Sequence, residues 1–417
     1  MIALPSSLLI LGFARSGQAA ATFFKENNVK VYVYDDDKAK KNLALEQGYE
    51  WYHEDALLEG VVQSPVIPPS HPLSEKLKSA GITVECDLGW YNKLFPHTKF
   101  LGITGTNGKS TSTALLGHIL KEAGYDVAIG GNFGIPVFSL PKVSPKGFVV
   151  LEISSYQLEL CNSLSLELAG WTNISEDHLE RHGTLKSYIA AKTHIFDNAK
   201  SCIISLDDPF SKRVYEEMLT KGYSVSSSSL REIHPYETFK NLLGVHNHQN
   251  AALVYQMAKS LGLPDEIIYD GMRSFKGLEH RLERVGVKGA ITFINDSKAT
   301  NGDATRWALE ACDSIFWLVG GADKTDGIDK LLPYSKKIIQ TYTFGRSKDR
   351  FYNTLLGHCE VSAHQTLNQA FEKAYEDAQN YEKPCTILLS PACASFDQFK
   401  DYEHRGMIFK DLVTTVL

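Results

Sequence analysis

The run Gly102-Ile103-Thr104-Gly105-Thr106-Asn107-Gly108-Lys109-Ser110 places flexible backbone, a cation and a hydroxyl next to one another. It follows the apolar stretch Lys99–Ile103 and opens a helical pattern that starts near Ser110. That pattern turns Leu115, Leu116, Ile119 and Leu120 toward one side and stops at Gly124. A strand–loop–helix of this kind suits phosphate, because backbone N–H groups and a helix N-terminus converge on the anion. Lys109 is expected to reach the β and γ oxygens and Ser110 to hold Mg²⁺. The strict pattern has glycine where Ile103 stands, so Gly105 must supply the flexibility. The bland alternative is a ligand-free turn, and Gly-Lys-Ser at a strand-to-helix junction weighs against it.

Three further residues have the chemistry of metal ligands. Glu152 ends the apolar strand Phe148–Leu151, and a carboxylate at the C-terminal end of a parallel strand faces the ligand crevice as a hard donor for Mg²⁺. In Glu176-Asp177-His178-Leu179-Glu180-Arg181-His182, the two histidines lie four apart, yet the order of residues is not that of a zinc protease. His178 is preferred as a lone ligand, with a purely structural histidine as its rival. Lys192 lies at helical spacing from Tyr188, Ile189, Ile195 and Phe196 within the predicted helix Ser187–Ala199, hence in the middle of an apolar face. Burial disfavours the ammonium, and a neutral amine can take up CO₂ to give a carbamate with oxygen ligands. The competing reading is a lysine snorkelling at the edge of that face.

These residues need a scaffold, and strand and helix signals alternate through nearly the whole chain. Leu8–Leu11, Lys30–Tyr34, Val61–Gln63 and Ile82–Glu85 read as strands, with helices at Ser16–Glu26 and Pro72–Ala80. The alternation weakens at Leu94–His97. It resumes with strands Lys99–Ile103, Phe148–Ile153 and Ala169–Asn173, and again after Gly277 with Ala290–Asn295, Ile315–Val319, Ile338–Phe344 and Cys385–Leu389. Ser226–Ser229 reads as a loop. The expectation is an α/β chain of three domains with mostly parallel sheets: a Rossmann-like segment 1–97, a central P-loop segment 98–278 and a Rossmann-like segment 279–417. Gly12-Phe13-Ala14-Arg15-Ser16-Gly17, with Asp35 at the next strand end, imitates a dinucleotide fingerprint. Ala14 stands where the middle glycine belongs, so the signal is weak alone.

The composition bounds the rest. The chain has 417 residues, 43% hydrophobic and 22% charged, with a net charge of −6. That excludes a disordered or fibrous chain and argues against bulk capture of nucleic acid or anionic membrane. Seven scattered cysteines without a Cys-x-x-Cys pair fit a reducing compartment. The start, Met-Ile-Ala-Leu-Pro, lacks a basic leader, and no apolar run approaches the length of a membrane span. A cytoplasmic monomer is expected.

Together these residues resemble the Mur ligase family, the amide ligases that build the peptide of bacterial peptidoglycan. Thr104–Ser110 is similar to the family's own P-loop, which accounts for Ile103. The resemblance implies an ATP site made by Gly105, Thr106, Asn107, Gly108, Lys109, Ser110, Thr111, Asn247, Asn250, Arg281 and Asp296. It implies Mg²⁺, two ions, held by Ser110, Glu152, His178 and a carbamylated Lys192. Ala14, Arg15, Ser16, Gly17, Asp35, Asp36 and Asn132 fall where the family holds a UDP-linked substrate. Ser64-Pro65-Val66-Ile67 departs from the family's Ser-Pro-Gly-Ile, and Val66 lacks the left-handed freedom of glycine. The segments Asn295–Asn301 and Leu389–Phe399 are similar to the branch whose substrates are UDP-N-acetylmuramoyl-L-alanine and D-glutamate. By that resemblance Lys298, Thr300, Lys324, Ser395, Phe396 and Tyr402 surround the amino acid. The implied reaction passes through an acyl phosphate.

Three other readings compete. A folylpolyglutamate-synthase-like ligase keeps the chemistry and changes the amine. A nicotinamide-dependent oxidoreductase uses the Gly12–Gly17 loop and leaves Lys109 and Lys192 unexplained. A nucleotide-dependent switch protein does not need Glu152, His178 and Lys192 to converge.

Overall fold

The computed structural model describes residues 4–197, 199–230, 239, 241–322 and 327–417. The chain divides into two compact units, Met1–His234 with Gln249–Met272, and Pro235–His248 with Arg273–Leu417. The described residues form three sheets, two in the first unit and one in the second.

The first sheet contains β1 (Ser7–Leu11), β2 (Lys30–Tyr34), β3 (Glu50–Trp51), β4 (Gly60–Gln63) and β5 (Thr83–Cys86) in the order β3-β2-β1-β4-β5, all parallel. The strand Ser-Leu-Leu-Ile-Leu of β1 is buried along its whole length. A parallel strand covered on both faces reads as an unbroken apolar run for that reason. The helix Arg15–Glu26 lies against the sheet through Gly17, Ala20, Ala21 and Phe24, a three-to-four spacing on one face. The strand order reverses between β1 and β4, so the loops leaving them flank the crevice where such sheets take ligands.

The second sheet contains β6 (Lys99–Thr104), β7 (Val127–Gly131), β8 (Phe148–Glu152), β9 (Leu168–Trp171), β10 (Cys202–Ser205) and β11 (Val225–Ser228) in the order β11-β10-β9-β6-β8-β7. All its pairings are parallel. Central β6 therefore delivers the phosphate loop between the ends of β8 and β9. Ser226–Ser228, expected as loop, belongs to β11. An edge strand pairs on one side only, so it can form from polar side chains that give no apolar alternation. The predicted helix Ser187–Ala199 is an α-helix only over Leu185–Thr193, and its last turn tightens to a 3₁₀ helix at His194–Phe196, a frequent way for helices to end.

The third sheet contains β12 (Glu283–Lys288), β13 (Ile291–Asn295), β14 (Ile315–Gly320), β15 (Ile338–Phe344), β16 (Glu360–Ala363) and β17 (Cys385–Leu389) in the order β12-β13-β17-β14-β15-β16. It is parallel except for the edge hairpin β12–β13. Sequence patterning finds the four inner strands and overlooks both edges, which are half-buried to exposed. The mixed α/β architecture with mostly parallel sheets is as expected.

Candidate active site

The phosphate loop takes its shape from two glycines. Gly105 has φ +138° and Gly108 φ +83°. A side chain on Gly105 would meet Thr172 Oγ1 at 1.9 Å, and one on Gly108 would meet Asn250 Oδ1 at 2.0 Å. The loop is pinned from β9: Thr106 N donates to Asn173 O (2.8 Å), Asn107 N to Asn173 Oδ1 (2.9 Å) and Thr172 Oγ1 to Asn107 O (2.6 Å). Gly108 caps the helix Lys109–Glu122, whose first turn carries Ser110 and Thr111, both largely buried. The Lys109 ammonium donates to Thr106 O at 2.6 Å.

Beside this loop lies a cleft of about 450 Å³, bordered by Arg15, Lys109, Asn132, Tyr156, His178 and Lys192 among others. Lys192 is 1% exposed. Its Nζ donates to Gly105 O at 2.7 Å and lies 4.7 Å from the centre of the Tyr188 ring. Burial, and secondarily the Lys109 cation, hold its pKa well below the ordinary lysine value, while Asp177 and Glu152 pull the other way. The apolar-face position read from spacing is therefore a buried position, not a snorkelling one.

Glu152, at the end of β8, is 3% exposed. Its Oε1 accepts from Asn132 Nδ2 at 2.7 Å, and Asn132 N donates to the Glu152 carbonyl at 2.9 Å. Its Oε2 is buried without a hydrogen-bond partner. An unsatisfied buried carboxylate oxygen is costly, and a hard cation such as Mg²⁺ is the ligand chemistry that relieves it.

His178 does not lie on the helix with His182. It precedes Leu179–His182 as a left-handed residue with φ 54°, which turns its ring independently. Nδ1 is 3.2 Å from the Tyr156 hydroxyl and 3.3 Å from Glu180 Oε1, and Nε2 is 3.6 Å from Asp177 Oδ2. His182 instead bonds Ser155 Oγ at 3.0 Å, and burial lowers its pKa. Among the described residues no three His, Cys, Asp or Glu side chains gather as a ready-made metal site.

On the first-sheet side, Ala14 caps the helix Arg15–Glu26, and Arg15 donates to Gly134 O. Ser16 also borders the cleft. Asp35 is occupied within the fold, accepting from Phe13 N (2.7 Å) and Asp37 N (2.9 Å). Asp36 contacts His71 Nε2 at 3.2 Å. Val66 is 74% exposed and has no left-handed backbone. Its carbonyl accepts from Arg181 Nη1 at 3.0 Å.

The second unit is organised around a buried carboxyl. Asp296 accepts from Ser390 Oγ (2.7 Å) and Leu282 N (3.1 Å), and burial raises its pKa to about 7. His280 and Leu282, on either side of Arg281, have φ 62° and 45°, and Arg281 Nε is buried without a partner. Lys298 Nζ lies 5.2 Å from the Tyr402 ring centre. Burial raises the Tyr402 phenol to about 12. Thr300 N donates to Lys298 O at 2.9 Å. Ser395 is buried and Phe396 is 74% exposed. Asn247 Nδ2 donates to Leu243 O at 2.8 Å. Lys324 lies outside the described residues.

Residue-by-residue reading overlooked several groups. Ser154–Gln157 form a capping box at the start of the helix Ser155–Leu160 and border the cleft. The Ser-x-x-Gln spacing directly after strand β8 was the available signal. Asp87, buried at the cleft, has its pKa raised to about 6 by burial. Arg405 is fully buried, donating to Ser297 Oγ (2.9 Å), Ser297 O (2.7 Å), Cys393 O (3.0 Å) and Ala394 O (3.4 Å). It joins the two motif segments of the third sheet. No short pattern announces it.

Residues 103–260, which hold the phosphate loop, Glu152, His178 and Lys192, match the Mur ligase middle domain. The chain is 37% identical to the UDP-N-acetylmuramoylalanine--D-glutamate ligase of Phenylobacterium zucineum, over 98% of this chain and 96% of that protein. The chain belongs to the Mur ligase family. The ligase of the same name from Caulobacter vibrioides is 36% identical over 98% of this chain and 95% of its own length. A crystal structure of MurF from Acinetobacter baumannii shares the fold, with a TM-score of 0.63 at 16% identity, over 97% of this chain and 93% of that one. A Mur ligase is an enzyme, which removes the switch-protein reading. No described helix is long and apolar enough to cross a membrane.

Proposed function

We propose that this Mur ligase adds D-glutamate to UDP-N-acetylmuramoyl-L-alanine, using ATP and Mg²⁺, as a cytoplasmic monomer. The observation that carries ligase chemistry is the pairing of Lys109 and buried Lys192 on one cleft, with the half-satisfied Glu152 carboxylate bonded to Asn132 of the cleft wall. The identity of the amino acid rests on the name shared by relatives 36–37% identical over nearly the whole chain.

In this reading the substrate carboxylate attacks the γ-phosphorus of ATP, ADP leaves, and an acyl phosphate results. The amine of D-glutamate then attacks the acyl carbon, phosphate leaves and a proton is released. No protein nucleophile is needed, so catalysis is positioning and electrostatics. Gly105, Thr106, Asn107 and Gly108 cradle the phosphates, with Ser110, Thr111 and Asn250 beside them. Lys109 turns from Thr106 O to the transferring group. Ser110, Glu152, His178 and Lys192, the last as its carbamate, would hold Mg²⁺, two ions, whose charge offsets the negative charge on the phosphates. The fit to a cation rests on Glu152 Oε2 and on a lysine kept neutral by burial.

Ala14, Arg15, Ser16, Gly17, Asp35, Asp36 and Asn132 are assigned to the UDP-linked substrate. Asn247, Arg281 and Asp296 are assigned to ATP, and Lys298, Thr300, Lys324, Ser395, Phe396 and Tyr402 to D-glutamate. The segments 1–97, 98–278 and 279–417 are read as three domains with those three tasks. The test is phosphate release from ATP and Mg²⁺ with UDP-N-acetylmuramoyl-L-alanine, comparing D-glutamate with L-glutamate, L-lysine and no amino acid. Turnover only with D-glutamate is expected. Turnover with another amine discards the amino-acid assignment, and none at all discards the ligase substrates.

A further inference from the structure

Arg181 lies on the turn that carries His178, and its backbone N–H donates to His178 O at 3.1 Å, yet none of its side-chain hydrogen bonds stays within that turn. Its side chain is only 12% exposed. Nη2 lies 2.8 Å and Nε 3.0 Å from Glu159 Oε2 on the helix Ser155–Leu160. Nη1 donates to Val66 O at 3.0 Å and Nη2 to Ile67 O at 3.4 Å, both in the loop that leaves β4 of the first sheet. The guanidinium carbon lies over the Tyr156 ring, 4.9 Å from its centre. The Tyr156 hydroxyl in turn meets His178 Nδ1 at 3.2 Å. One planar cation thus bonds to two segments, the loop after β4 and the helix Ser155–Leu160, and also lies over an aromatic ring of that helix, a set of contacts an ammonium does not reproduce.

We propose that Arg181 is a positioning residue that couples the substrate loop Ser64–Ile67 to the His178 turn, so that the two sides of the cleft are ordered as one piece. The inference rests on the ligase reading for its purpose, not for its geometry. His178 is held in a left-handed conformation that a side chain keeps only where its surroundings enforce it. Tyr156, clamped by Arg181, is part of that enforcement. Val66 needs no glycine's freedom because its backbone is not left-handed, and its carbonyl faces the clamp.

Hydrogen exchange tests the coupling without any ligand. In Arg181→Ala, amide exchange is expected to rise together in residues 64–71 and 176–184, by roughly tenfold or more, with β8 and β6 unchanged. Arg181→Lys and Glu159→Gln give smaller rises in the same two segments, and they carry the test should the alanine variant fail to fold. A rise confined to 176–184, or spread over the whole unit, overturns the coupling. In turnover, the half-saturating concentrations of UDP-N-acetylmuramoyl-L-alanine and of Mg²⁺ are expected to rise together in Arg181→Lys, more than kcat falls. Movement of one constant alone also overturns it. A wild-type enzyme idle on that substrate refutes the ligase reading and leaves the exchange result to judge the clamp.

Discussion

Gly105→Ala concentrates the demands of the phosphate loop in one methyl group. The residue has φ +138°, a region essentially closed to side chains, and the new Cβ would lie 1.9 Å from Thr172 Oγ1 and 3.0 Å from Asn173 N and O. Holding alanine there costs about 1–3 kcal/mol. Pushing Thr172 aside also breaks its bond to Asn107 O, worth about 0.5–1.5 kcal/mol and more if the carbonyl is left buried and unsatisfied. The sum, about 1.5–4.5 kcal/mol, is expected as lost unfolding free energy in urea, because the loop is tied into β9 and cannot swing clear. The displaced Gly105 carbonyl also releases Lys192 Nζ, so nucleotide binding by calorimetry falls below detection. Thr172→Gly in the same background removes the obstructing hydroxyl but also the donor to Asn107 O, so neither the backbone strain nor that bond is recovered and stability stays low. A Gly105→Ala protein within about 0.5 kcal/mol of wild type that binds nucleotide normally refutes the reasoning.

Lys192→Met is expected to leave unfolding free energy at neutral pH equal or higher and to lower turnover at least a hundredfold, with partial rescue by a small carboxylic acid; normal turnover removes the carbamate role. Its pH dependence has a definite sign. The folded pKa is lowered, so the unfolded state binds more protons and stability rises with pH from that lowered value toward 10.5; urea titrations should lose this slope in the Met variant. Glu152→Gln is expected to raise the half-saturating Mg²⁺ concentration more than tenfold without lowering the metal-free melting temperature. A lowered melting temperature would mean that Asn132 and Glu152 are structural only. Asp296, with its pKa raised from 3.8 to about 7, favours the folded state below pH 3.8 and loses that contribution as pH rises through 7. Asp296→Asn should flatten this slope, at most about 1.4 kcal/mol per pH unit.

What the sequence discloses follows from how locally each feature is encoded. Most inner strands are legible because burial on both faces demands unbroken apolar runs, as in Phe148–Leu151 and Ile315–Val319, whereas inner β10, four residues closed by a serine, is too short to stand out. The edges β11, β12 and β16 are not legible, since one-sided pairing relaxes that demand. Lys192 is legible because a helix repeats its neighbours at fixed spacing. His178 is half-legible: its residue type announces a ligand, but the left-handed turn that aims it depends on support from Tyr156 and Arg181. Arg405 and Arg181 are invisible beforehand. Most of their partners are backbone carbonyls in other segments, Val66 and Ile67 for Arg181 and Ser297, Cys393 and Ala394 for Arg405, and a carbonyl carries no sequence identity. Asp35 stands at the end of β2, where the pattern expects it, and its oxygens accept from the Phe13 and Asp37 amides, contacts that residue type alone does not announce.

The unsatisfied oxygen of Glu152 also bears on how long the protein lasts in a cell. On the proposal that Glu152 holds a cation, the empty fold carries an unrelieved cost and opens more often than the loaded one. Proteases cleave the opened chain, so degradation acts first on molecules that lack their ligands. Abundance would then follow the supply of magnesium and nucleotide, and starvation would thin the enzyme population without any dedicated regulator.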